Sequence, residues 1–357
     1  MVNAIIVGNG LAGVHYALQL QAQHKDFVMF YDTALQNASL NAAGICNPTV
    51  LKRYSLVWKG TEFLEDARFH YAALENKWQT KFFENFPIHR YFSHVAEQNQ
   101  WVEASQKEGL NRYLDPEIYT NSSFGIERKL GFGIIQDAHK LNIPNFFKAF
   151  KKTLSSTMIR DEFFSHAELK MTRSGVEYKD VKAEHIVFCE GYGIKQNPWF
   201  QDLPLTGSKG EFLVVKIPKL NPKIIFKGTL FIAPLIEDLF WVGATFSPHD
   251  KTTKPSIQGK NELISKLDEM VNLPYEILEH HAAVRPTVID RRPLLGTHTQ
   301  YKRLHLFNGL GTRGAMMAPL LTKQLYQWIY FGKELPLEVD IQRFEPYFCN
   351  PKEKGNA

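Results

Sequence analysis

Short apolar runs alternate with a glycine-rich turn and a helical segment over the first fifty residues. Ala4 to Val7 is an apolar run of β type, and it leads directly into the glycine-rich turn Gly8 to Gly13. Val14 to Gln21 has the spacing of a helix, and Phe27 to Tyr31 is a second apolar run that ends at Asp32. The order strand, glycine turn, helix, strand and acid predicts the first unit of a doubly wound α/β sheet.

The glycine turn has the G-x-G-x-x-G spacing of a dinucleotide-binding site. We expect Gly8 to form the tight turn, Gly10 to let the backbone approach a diphosphate, and Gly13 to let the helix pack closely on the strand. The helix N-terminus adds unpaired N–H groups and a positive dipole end. The residues predicted to contact the dinucleotide here are Gly8, Gly10, Leu11, Ala12, Gly13 and Asp32. The motif alone leaves NAD and FAD open, and a glycine turn that binds nothing is the alternative.

Later segments add antiparallel strands and a second turn that opens a helix. The alternation of apolar and polar residues in Glu211 to Lys216 and in Leu239 to Thr245 predicts antiparallel strands. An apolar strand at Leu304 to Phe307 is followed by the turn Asn308 to Arg313, which opens a helix that runs to about Tyr330. The chain therefore combines a doubly wound part with an antiparallel part.

Composition narrows the class of protein. The chain has 357 residues, 44% of them hydrophobic and 22% charged, which is enough for two globular domains. Cys46, Cys189 and Cys349 form no CxxC pair, so neither a disulfide framework nor a zinc site is expected, and the protein is predicted to be reduced and cytoplasmic. No signal peptide and no membrane span is predicted. A formal net charge of +5 permits an anionic ligand without requiring nucleic acid.

Four segments together resemble the D-amino-acid oxidase superfamily of flavoproteins, which includes glycine oxidase, sarcosine oxidase and the D-amino-acid dehydrogenases. They span residues 38–48, 183–193, 203–246 and 283–319. The resemblance implies an α/β fold in which a Rossmann-like FAD-binding domain is interleaved with an α+β substrate domain built on an antiparallel sheet. The stretch GLGTRGAMMAPLL at 309–321 is similar to the oxidoreductase half of the bifunctional enzyme that matures 5-methylaminomethyl-2-thiouridine in tRNA.

The resemblance implies FAD as the cofactor and adds residues to its predicted site. The loop at 38–48 would lie beside the pyrophosphate and the flavin edge, although a small, turn-prone segment is also typical of an ordinary surface loop. Glu190 stands where the family has a small residue. The further residues predicted to bind FAD are Ser39, Ala42, Ala43, Gly44, Ile45, Phe164, Gly191, Gly309, Gly311, Thr312, Arg313, Gly314, Ala315 and Met316.

Arg285 is the first candidate for a substrate-binding residue. It resembles the family arginine that pairs with a substrate carboxylate, and a guanidinium fork fits a carboxylate with two hydrogen bonds. The alternative is that Arg285 pairs with Asp290 or Glu279 and only anchors its strand. Arg313 is predicted either to stabilise reduced flavin or to hold substrate, whereas glycine oxidase has its second arginine at the position of Thr312.

Three further features have a chemical and a structural interpretation. His280 or His281 could accept a substrate proton, although a structural role is commoner. The aromatic stretch from Trp78 to Trp101 fits a substrate wall or core packing. The lysines of 148–152 fit an exposed helix face or an RNA contact. No histidine cluster predicts a metal site.

The predicted FAD-binding domain comprises residues 1–75, 138–203 and 281–345, the substrate domain 76–137 and 204–280, and the tail 346–357. The predicted reaction is hydride transfer from the carbon of a small amine or amino acid to flavin N5. A stand-alone tRNA wobble-uridine (carboxymethylaminomethyl) oxidoreductase and a non-catalytic nucleotide-binding protein remain alternatives. Oxygen, a quinone or another carrier could be the electron acceptor.

Overall fold

Two units, each assembled from separate stretches of sequence, make up the chain. The computed structural model describes residues 1–35, 37–120, 125–126 and 130–347. Unit 1 comprises Met1–Leu40, Phe146–Ser208 and Val284–Ala357, and unit 2 comprises Asn41–Asn145 and Lys209–Ala283.

Strands and helices alternate along the described residues. The strands are β1 (Val2–Val7), β2 (Phe27–Tyr31), β3 (Ile45–Cys46), β4 (Thr49–Val50), β5 (Ser55–Leu56), β6 (Phe83–Asn85), β7 (Ile88–Tyr91), β8 (Phe132–Ile135), β9 (His139–Leu141), β10 (Ile159–Asp161), β11 (Lys170–Met171), β12 (Val176–Tyr178), β13 (Val181–Phe188), β14 (Ser208–Lys216), β15 (Ile225–Lys227), β16 (Phe231–Ile236), β17 (Leu239–Gly243), β18 (Glu276–Arg285), β19 (Leu294–Thr297) and β20 (Leu304–Asn308). The α-helices are α1 (Leu11–Ala22), α2 (Gly60–Trp78), α3 (Val95–Ser105), α4 (Ile143–Lys151), α5 (Ile257–Asp268) and α6 (Gly314–Phe331). Short 3-10 helices cover Ser156–Met158, His166–Glu168, Gly191–Gln196 and Ile341–Tyr347.

Unit 1 is built on an eight-stranded sheet with a parallel centre. Its strand order is β10-β2-β1-β13-β12-β11. Strand β20 pairs with the C-terminal end of β13 and also with β19. β10, β2, β1, β13 and β20 run parallel, whereas β11, β12 and β19 join in antiparallel pairs. The sequence correctly predicts this doubly wound arrangement. Strand β10, at one edge of this sheet, covers only Ile159–Asp161.

Helix α1 is buried on almost every side because layers of unit 1 cover it. Residues 11–18 are all buried, and α1 contacts β1, β2, β20 and α6. A helix with apolar residues all round is stable only inside a core. The N-terminus of α1 is therefore held firmly at the end of β1.

Unit 2 contains a seven-stranded sheet in the order β18-β14-β17-β16-β15-β7-β8. β14 and β17 are antiparallel, with Lys216 opposite Leu239, as the alternation of apolar residues predicts. The predicted antiparallel sheet includes one parallel pair, β15 and β7. A three-stranded sheet, β3-β9-β6, and the β4–β5 pair complete the strands that the structure describes in unit 2.

The unit boundaries differ from the predicted domain limits. Residues 41–75 and 138–145, assigned to the FAD-binding domain from the sequence, belong to unit 2. The reason is strand pairing over long distances, since Ile45 lies opposite Lys140, which in turn lies opposite Glu84. Residues 204–208 belong to unit 1 and 281–283 to unit 2. Most of the predicted tail, 348–357 with Cys349, lies outside the described residues.

Two searches of the described residues bear on partners. Neither α6 nor any other helix among them is both long enough and apolar enough to cross a bilayer. The described side chains include no group of three or more His, Cys, Asp or Glu residues arranged to hold a metal ion.

Candidate functional site

Two close backbone contacts in unit 1 require glycine in the turn after β1. Gly8 has a φ of +106°, and a Cβ atom there would lie 2.5 Å from the carbonyl oxygen of Cys189. A Cβ atom on Gly13 would lie 1.9 Å from the carbonyl oxygen of Gly8. Neither distance is compatible with a side chain, so the two glycines let β1, β13 and α1 meet at one point.

The first turn of α1 presents N–H groups at this point. Gly10 precedes the helix in an extended conformation, with φ −72° and ψ −177°, and has no side chain to cap it. The Leu11 N–H donates to Ser39 Oγ at 3.0 Å, so a serine distant in sequence takes the role of the cap. The N–H groups of Ala12 and Gly13 have no acceptor within the helix, as at any helix start. This arrangement suits an anion such as a diphosphate.

Asp32 lies directly after β2, half-buried, as the sequence predicts for an acid facing a ribose. Its Oδ1 accepts a hydrogen bond from the Ala34 N–H at 2.8 Å. The neighbouring Thr33 is held by Asp161, which accepts from its N–H at 3.0 Å and its hydroxyl at 3.1 Å. The turn is thus fixed by two carboxylates, of which only Asp32 was anticipated.

Glu190 is held by its own neighbours in unit 1. His166 Nε2 lies 2.8 Å from Glu190 Oε1, and Asn197 Nδ2 donates to Glu190 Oε2 at 2.8 Å. Both carboxylate oxygens are therefore engaged, which explains how the turn after β13 accommodates a residue larger than the family's small one. The next residue, Gly191, has a φ of +56°.

Asn308 joins the end of β20 to the turn at Gly191. Its Nδ2 donates to the Gly191 carbonyl oxygen at 2.9 Å, and its Oδ1 accepts from the Gly309 N–H at 2.8 Å. Asn308 is only 2% exposed, and its hydrogen bond with Gly309 is buried, whereas the one to Gly191 is partly buried. Asn308 is not among the residues predicted to form the site. An Asn-Gly pair at the end of a buried strand is the signal that could have found it.

The turn before α6 lies beside the start of α1. A Cβ atom on Gly314 would lie 3.1 Å from Leu11 Cδ1. Gly309 and Gly311 both have positive φ angles, +74° and +56°, as the glycine-rich sequence leads one to expect. The two helix N-termini therefore meet at one end of the unit 1 sheet, next to the Gly8 turn.

The predicted FAD contacts at this second turn differ in exposure. Thr312 is exposed and Arg313 is half-buried, whereas Ala315 and Met316 point into the core at 5% and 0% exposure. The N–H groups of Met316 and Met317 are taken by the Arg313 carbonyl. Any contact that Ala315 and Met316 make with FAD would therefore come from the main chain.

Arg285 lies at the end of β18, half-buried, and its predicted alternative partners are engaged elsewhere. Asp290 Oδ2 pairs with Arg343 Nε at 2.9 Å, and Glu279 Oε2 lies 2.6 Å from His281 Nε2. The alternative that Arg285 anchors its strand through either carboxylate is therefore wrong. Burial lowers the pKa of the Arg285 guanidinium from its ordinary value. Within the described ranges, no carboxylate forms an ion pair with it.

Arg313 is a second cation of this kind. Burial lowers the pKa of its guanidinium, and the charge of Arg291 lowers it further. In the part of the chain that the structure describes, no carboxylate pairs with Arg313 either. Guanidinium groups remain protonated even so, because their ordinary pKa lies far above neutral pH. An anionic ligand would stabilise such a half-buried cation, because it would supply the missing counterion.

Phe164, which is predicted to bind FAD, has a buried side chain. Its ring is 5% exposed, stacks on Tyr178 at 4.1 Å between centroids and meets Phe30 edge-on at 5.9 Å. The side chain thus belongs to the core of unit 1. A contact of Phe164 with FAD is therefore expected from its main chain.

The predicted flavin-edge residues Ala42, Ala43, Gly44 and Ile45 belong to unit 2. A Cβ atom on Gly44, whose φ is +74°, would lie 2.0 Å from the Leu141 carbonyl oxygen. The Trp241 indole donates to the Asn41 carbonyl at 3.2 Å. Strand β9 and one tryptophan therefore hold this loop, which gives it a fixed backbone rather than that of a free surface loop.

His280 belongs to a charged network in unit 2. Its Nε2 lies 2.9 Å from Glu211 Oε2, and the same carboxylate accepts from Ser256 and lies 3.4 Å from Lys209. Burial lowers the pKa of His280, and the charge of Glu211 opposes this shift. His281 pairs with Glu279. These contacts favour structural roles for both histidines.

The aromatic stretch and the lysine tract also fit their structural interpretations. Phe82, Phe92 and Trp101 are 2% exposed or less, which indicates core packing. Lys148 and Lys151, at the end of α4, are exposed.

The residues of unit 1 fit a dinucleotide. The Gly8 turn leaves no room for side chains, the start of α1 offers N–H groups, and Asp32 follows β2. Among the described residues, no carboxylate pairs with Arg285 or Arg313. A diphosphate needs the first two features, and a ribose the third. Such a site fits a protein that binds a dinucleotide.

Comparison with known proteins gives the class. The profile of the DAO family, FAD dependent oxidoreductase, matches residues 3–328. The chain belongs to this family, it is an oxidoreductase, and its cofactor is FAD. The family and the cofactor that the motifs predict are thus confirmed.

Individual relatives are distant. The chain is 25% identical over 246 residues to glycine oxidase of Bacillus subtilis (strain 168), an alignment that covers 64% of each protein. It is 24% identical over 176 residues to the tRNA 5-methylaminomethyl-2-thiouridine biosynthesis bifunctional protein MnmC of Azoarcus sp. (strain BH72), covering 43% of this chain. The chain spans only 24% to 28% of the length of the bifunctional relatives it matches.

The fold is also that of solved members. The crystal structure of glycine oxidase from Geobacillus kaustophilus superposes with a TM-score of 0.79 at 18% identity, covering 96% of this chain and 97% of that one. At this level of identity the match shows the fold alone. It agrees with the α/β architecture predicted from the sequence.

Proposed function

We propose that the protein oxidises the C–N bond of a small amine or amino acid that carries a carboxylate. Arg285 carries this proposal, because it is a half-buried guanidinium with no carboxylate partner among the described residues. Leaving such a group unpaired is costly, and a substrate carboxylate would offset that cost. The similarity to glycine oxidase supports the same substrate class.

The residues of unit 1 would divide the work between holding the cofactor and holding the substrate. When bound, FAD accepts a hydride from the carbon that bears the amine. The first turn of α1 would hold the diphosphate, and Asp32 the adenosine ribose. Arg285 would accept the carboxylate through two N–H groups, which fixes the orientation of the substrate as well as its affinity.

The test is substitution of Arg285 by Gln and by Lys, with Arg303→Gln as the matched control. Arg303 is an exposed arginine before β20, so its loss changes the net charge equally. Carboxylate affinity is measured from the perturbation of the flavin absorption band by acetate, and activity from anaerobic bleaching by N-methylglycine. FAD content is measured in parallel.

Arg285→Gln should weaken acetate binding by roughly 30-fold, the effect of about 2 kcal/mol from a charge-assisted hydrogen bond. Arg285→Lys should recover part of this, because it keeps the charge and loses the fork. The FAD content of all variants should equal that of the native protein. The Arg303→Gln variant should also bind acetate as the native protein does. Equal acetate affinity in all four proteins would show that Arg285 binds no substrate carboxylate.

A second candidate is a tRNA wobble-uridine oxidoreductase on the same fold. It is supported by the similarity to the MnmC protein and by the exposed lysines at the end of α4. If tRNA binds through phosphate contacts, its affinity should fall steeply with salt, by about one decade per decade of salt for each contact. Affinity for tRNA should be measured between about 50 and 200 mM salt, the range over which phosphate contacts are lost. A tRNA affinity that stays constant over this range would exclude this candidate.

A further inference from the structure

An open cleft of about 340 Å³ lies in unit 1 beside the C-terminal half of α6. Its floor is formed by two buried residues, Thr297 of β19 and His305 of β20, which lie opposite each other in the antiparallel pair. Trp328 and Ile329 of α6 form one wall. The described residues that line the cleft include one cation, Lys302, and no carboxylate.

The cleft is separate from the expected diphosphate site. His305 lies near the start of β20, whereas Asn308 ends that strand beside the turn at Gly191. The three residue steps from His305 to Asn308 span about 10 Å. An anion in the cleft and the diphosphate of FAD would therefore lie at opposite ends of β20, and the diphosphate would not supply the negative charge that the cleft lacks.

Hydrogen bonds on the floor of the cleft determine which ring nitrogen of His305 carries a proton. The Trp328 indole N–H can only donate, and it lies 2.7 Å from Thr297 Oγ1, which therefore accepts. The hydrogen of the Thr297 hydroxyl then has His305 Nδ1 as its acceptor, at 2.8 Å. Burial lowers the pKa of His305 well below its ordinary value, so the ring is neutral at neutral pH. A neutral ring whose Nδ1 accepts carries its proton on Nε2.

The Nε2–H group of His305 is a donor that has no acceptor among the described residues. His305 is 5% exposed and lines the cleft, and its Nδ1 is already hydrogen-bonded to Thr297. The ring is also fixed in place, because it meets His185 edge-on at 5.1 Å between centroids and His185 Nε2 lies 3.2 Å from the Tyr16 hydroxyl. A fixed, nearly buried donor beside a cleft is suited to bind an acceptor oxygen of a ligand.

Lys302 and Trp328 indicate what else the ligand carries. Lys302 is exposed, and in the part of the chain that the structure describes no carboxylate forms an ion pair with it, so it favours an anionic ligand. Trp328 is half-buried and held by its hydrogen bond to Thr297, and together with Ile329 it offers apolar surface. These features fit an anionic oxygen at one end of the ligand and a flat apolar body at the other.

We propose that this cleft binds a small aromatic carboxylate, with the carboxylate on His305 Nε2 and Lys302 Nζ and the ring against Trp328. The site is independent of the proposed amine oxidation, because it uses no residue of the expected substrate or diphosphate sites.

The test uses 4-fluorobenzoate, whose fluorine NMR signal broadens when it binds to the FAD-loaded protein. Arg285→Gln is the background for every measurement, because it removes the carboxylate site proposed for the substrate. On this background, His305→Phe removes the ring nitrogens, Lys302→Gln removes the charge, and Ile329→Trp fills the cleft. Lys170→Gln is the matched control, since Lys170 is an exposed lysine of unit 1 that does not line the cleft.

His305→Phe should weaken binding of 4-fluorobenzoate by about tenfold, the effect of one hydrogen bond to a charged group. Lys302→Gln should weaken it by about threefold, because this charge is exposed to solvent. Ile329→Trp should abolish binding, and Lys170→Gln should leave it unchanged. The uncharged probe 4-fluorobenzyl alcohol should bind about tenfold more weakly than 4-fluorobenzoate. FAD content should be the same in all these proteins.

An affinity for 4-fluorobenzoate that is equal in the background protein and in Ile329→Trp would overturn the inference, because the probe would then bind elsewhere. The absence of any broadening at millimolar probe would overturn it as well. If His305→Phe does not fold, Lys302→Gln and Ile329→Trp decide the result, since both are substitutions outside the buried core. Failure of amine oxidation gives a different result, in which no amine bleaches the flavin while 4-fluorobenzoate still binds.

Discussion

Replacing Gly10 by alanine separates the binding of FAD from the stability of the fold. Gly10 has an ordinary φ of −72°, so alanine can adopt its backbone conformation without strain. The new Cβ would lie 3.2 Å from Ser39 Oγ and 3.7 Å from Asn37 Oδ1. Both neighbours are side-chain atoms that can move by a few tenths of an ångström.

The expected effects follow from this geometry. The apoprotein should lose only about 0.5 kcal/mol, since alanine before a helix is slightly worse than glycine. FAD should bind about 30-fold more weakly, because the proposed diphosphate would approach the backbone at Gly10, where an added methyl group would obstruct it. That factor corresponds to about 2 kcal/mol, one charge-assisted hydrogen bond.

Gly13→Ala is the informative comparison. Its Cβ would meet the Gly8 carbonyl oxygen at 1.9 Å, and backbone atoms cannot yield as a side chain does. This variant should lose stability as well, by about 1–3 kcal/mol from overpacking. The assays are quenching of FAD fluorescence by apoprotein and urea unfolding of the apoprotein. An unchanged FAD dissociation constant in Gly10→Ala would refute the assignment of the diphosphate to the start of α1.

Three further predictions concern the rest of unit 1. Burial lowers the pKa of His185 to about 3, so the unfolded chain binds an extra proton at this residue as the pH falls below 6.5. His185 should therefore contribute about 2 kcal/mol to the loss of unfolding free energy between pH 8 and pH 5, beside the other buried histidines. Urea titrations should show that this loss is smaller by about that amount in His185→Gln. Asn308→Ala should lower the free energy of unfolding by about 2 kcal/mol in the same assay, because the Gly191 carbonyl loses its hydrogen-bond donor. Asn308→Asp has only acceptor oxygens, so it should not restore that stability. Glu190→Gln removes a negative charge beside the expected diphosphate, so FAD should bind a few-fold more tightly. The free energy of unfolding should fall, because the ion pair with His166 is lost. Unchanged FAD affinity would place Glu190 away from the phosphates.

Local patterns predicted the elements of the sheet in unit 1 well, because each depends on a few adjacent residues. The apolar run at 27–31 coincides with β2, and the glycine spacing implied both the tight turn at Gly8 and the close packing at Gly13. Residue type and spacing along a short stretch determine these features. The alternation of β14 and β17 is of the same kind.

Contacts between distant segments could not be predicted in this way. Residues 41–75 belong to unit 2 because Ile45 pairs with Lys140. No local pattern in either segment predicts that the two strands pair. Asn308 and Gly191 are 117 positions apart in the sequence and yet form a hydrogen bond. Glu190 likewise pairs with His166, which lies 24 positions earlier. Arg285 shows the same limit, since Asp290 is close in sequence and yet pairs with Arg343.

Two properties define the proposed enzyme, namely FAD bound in unit 1 and reduction of that FAD by an amine. The most direct measurement is the visible spectrum of the purified protein under anaerobic conditions, before and after N-methylglycine or N-methylaspartate is added. We expect a yellow protein with about one FAD per chain, whose band bleaches with at least one of these amines and persists in Arg285→Gln. A colourless protein that cannot be reconstituted with FAD, or a flavin band that neither amine reduces, would contradict this expectation.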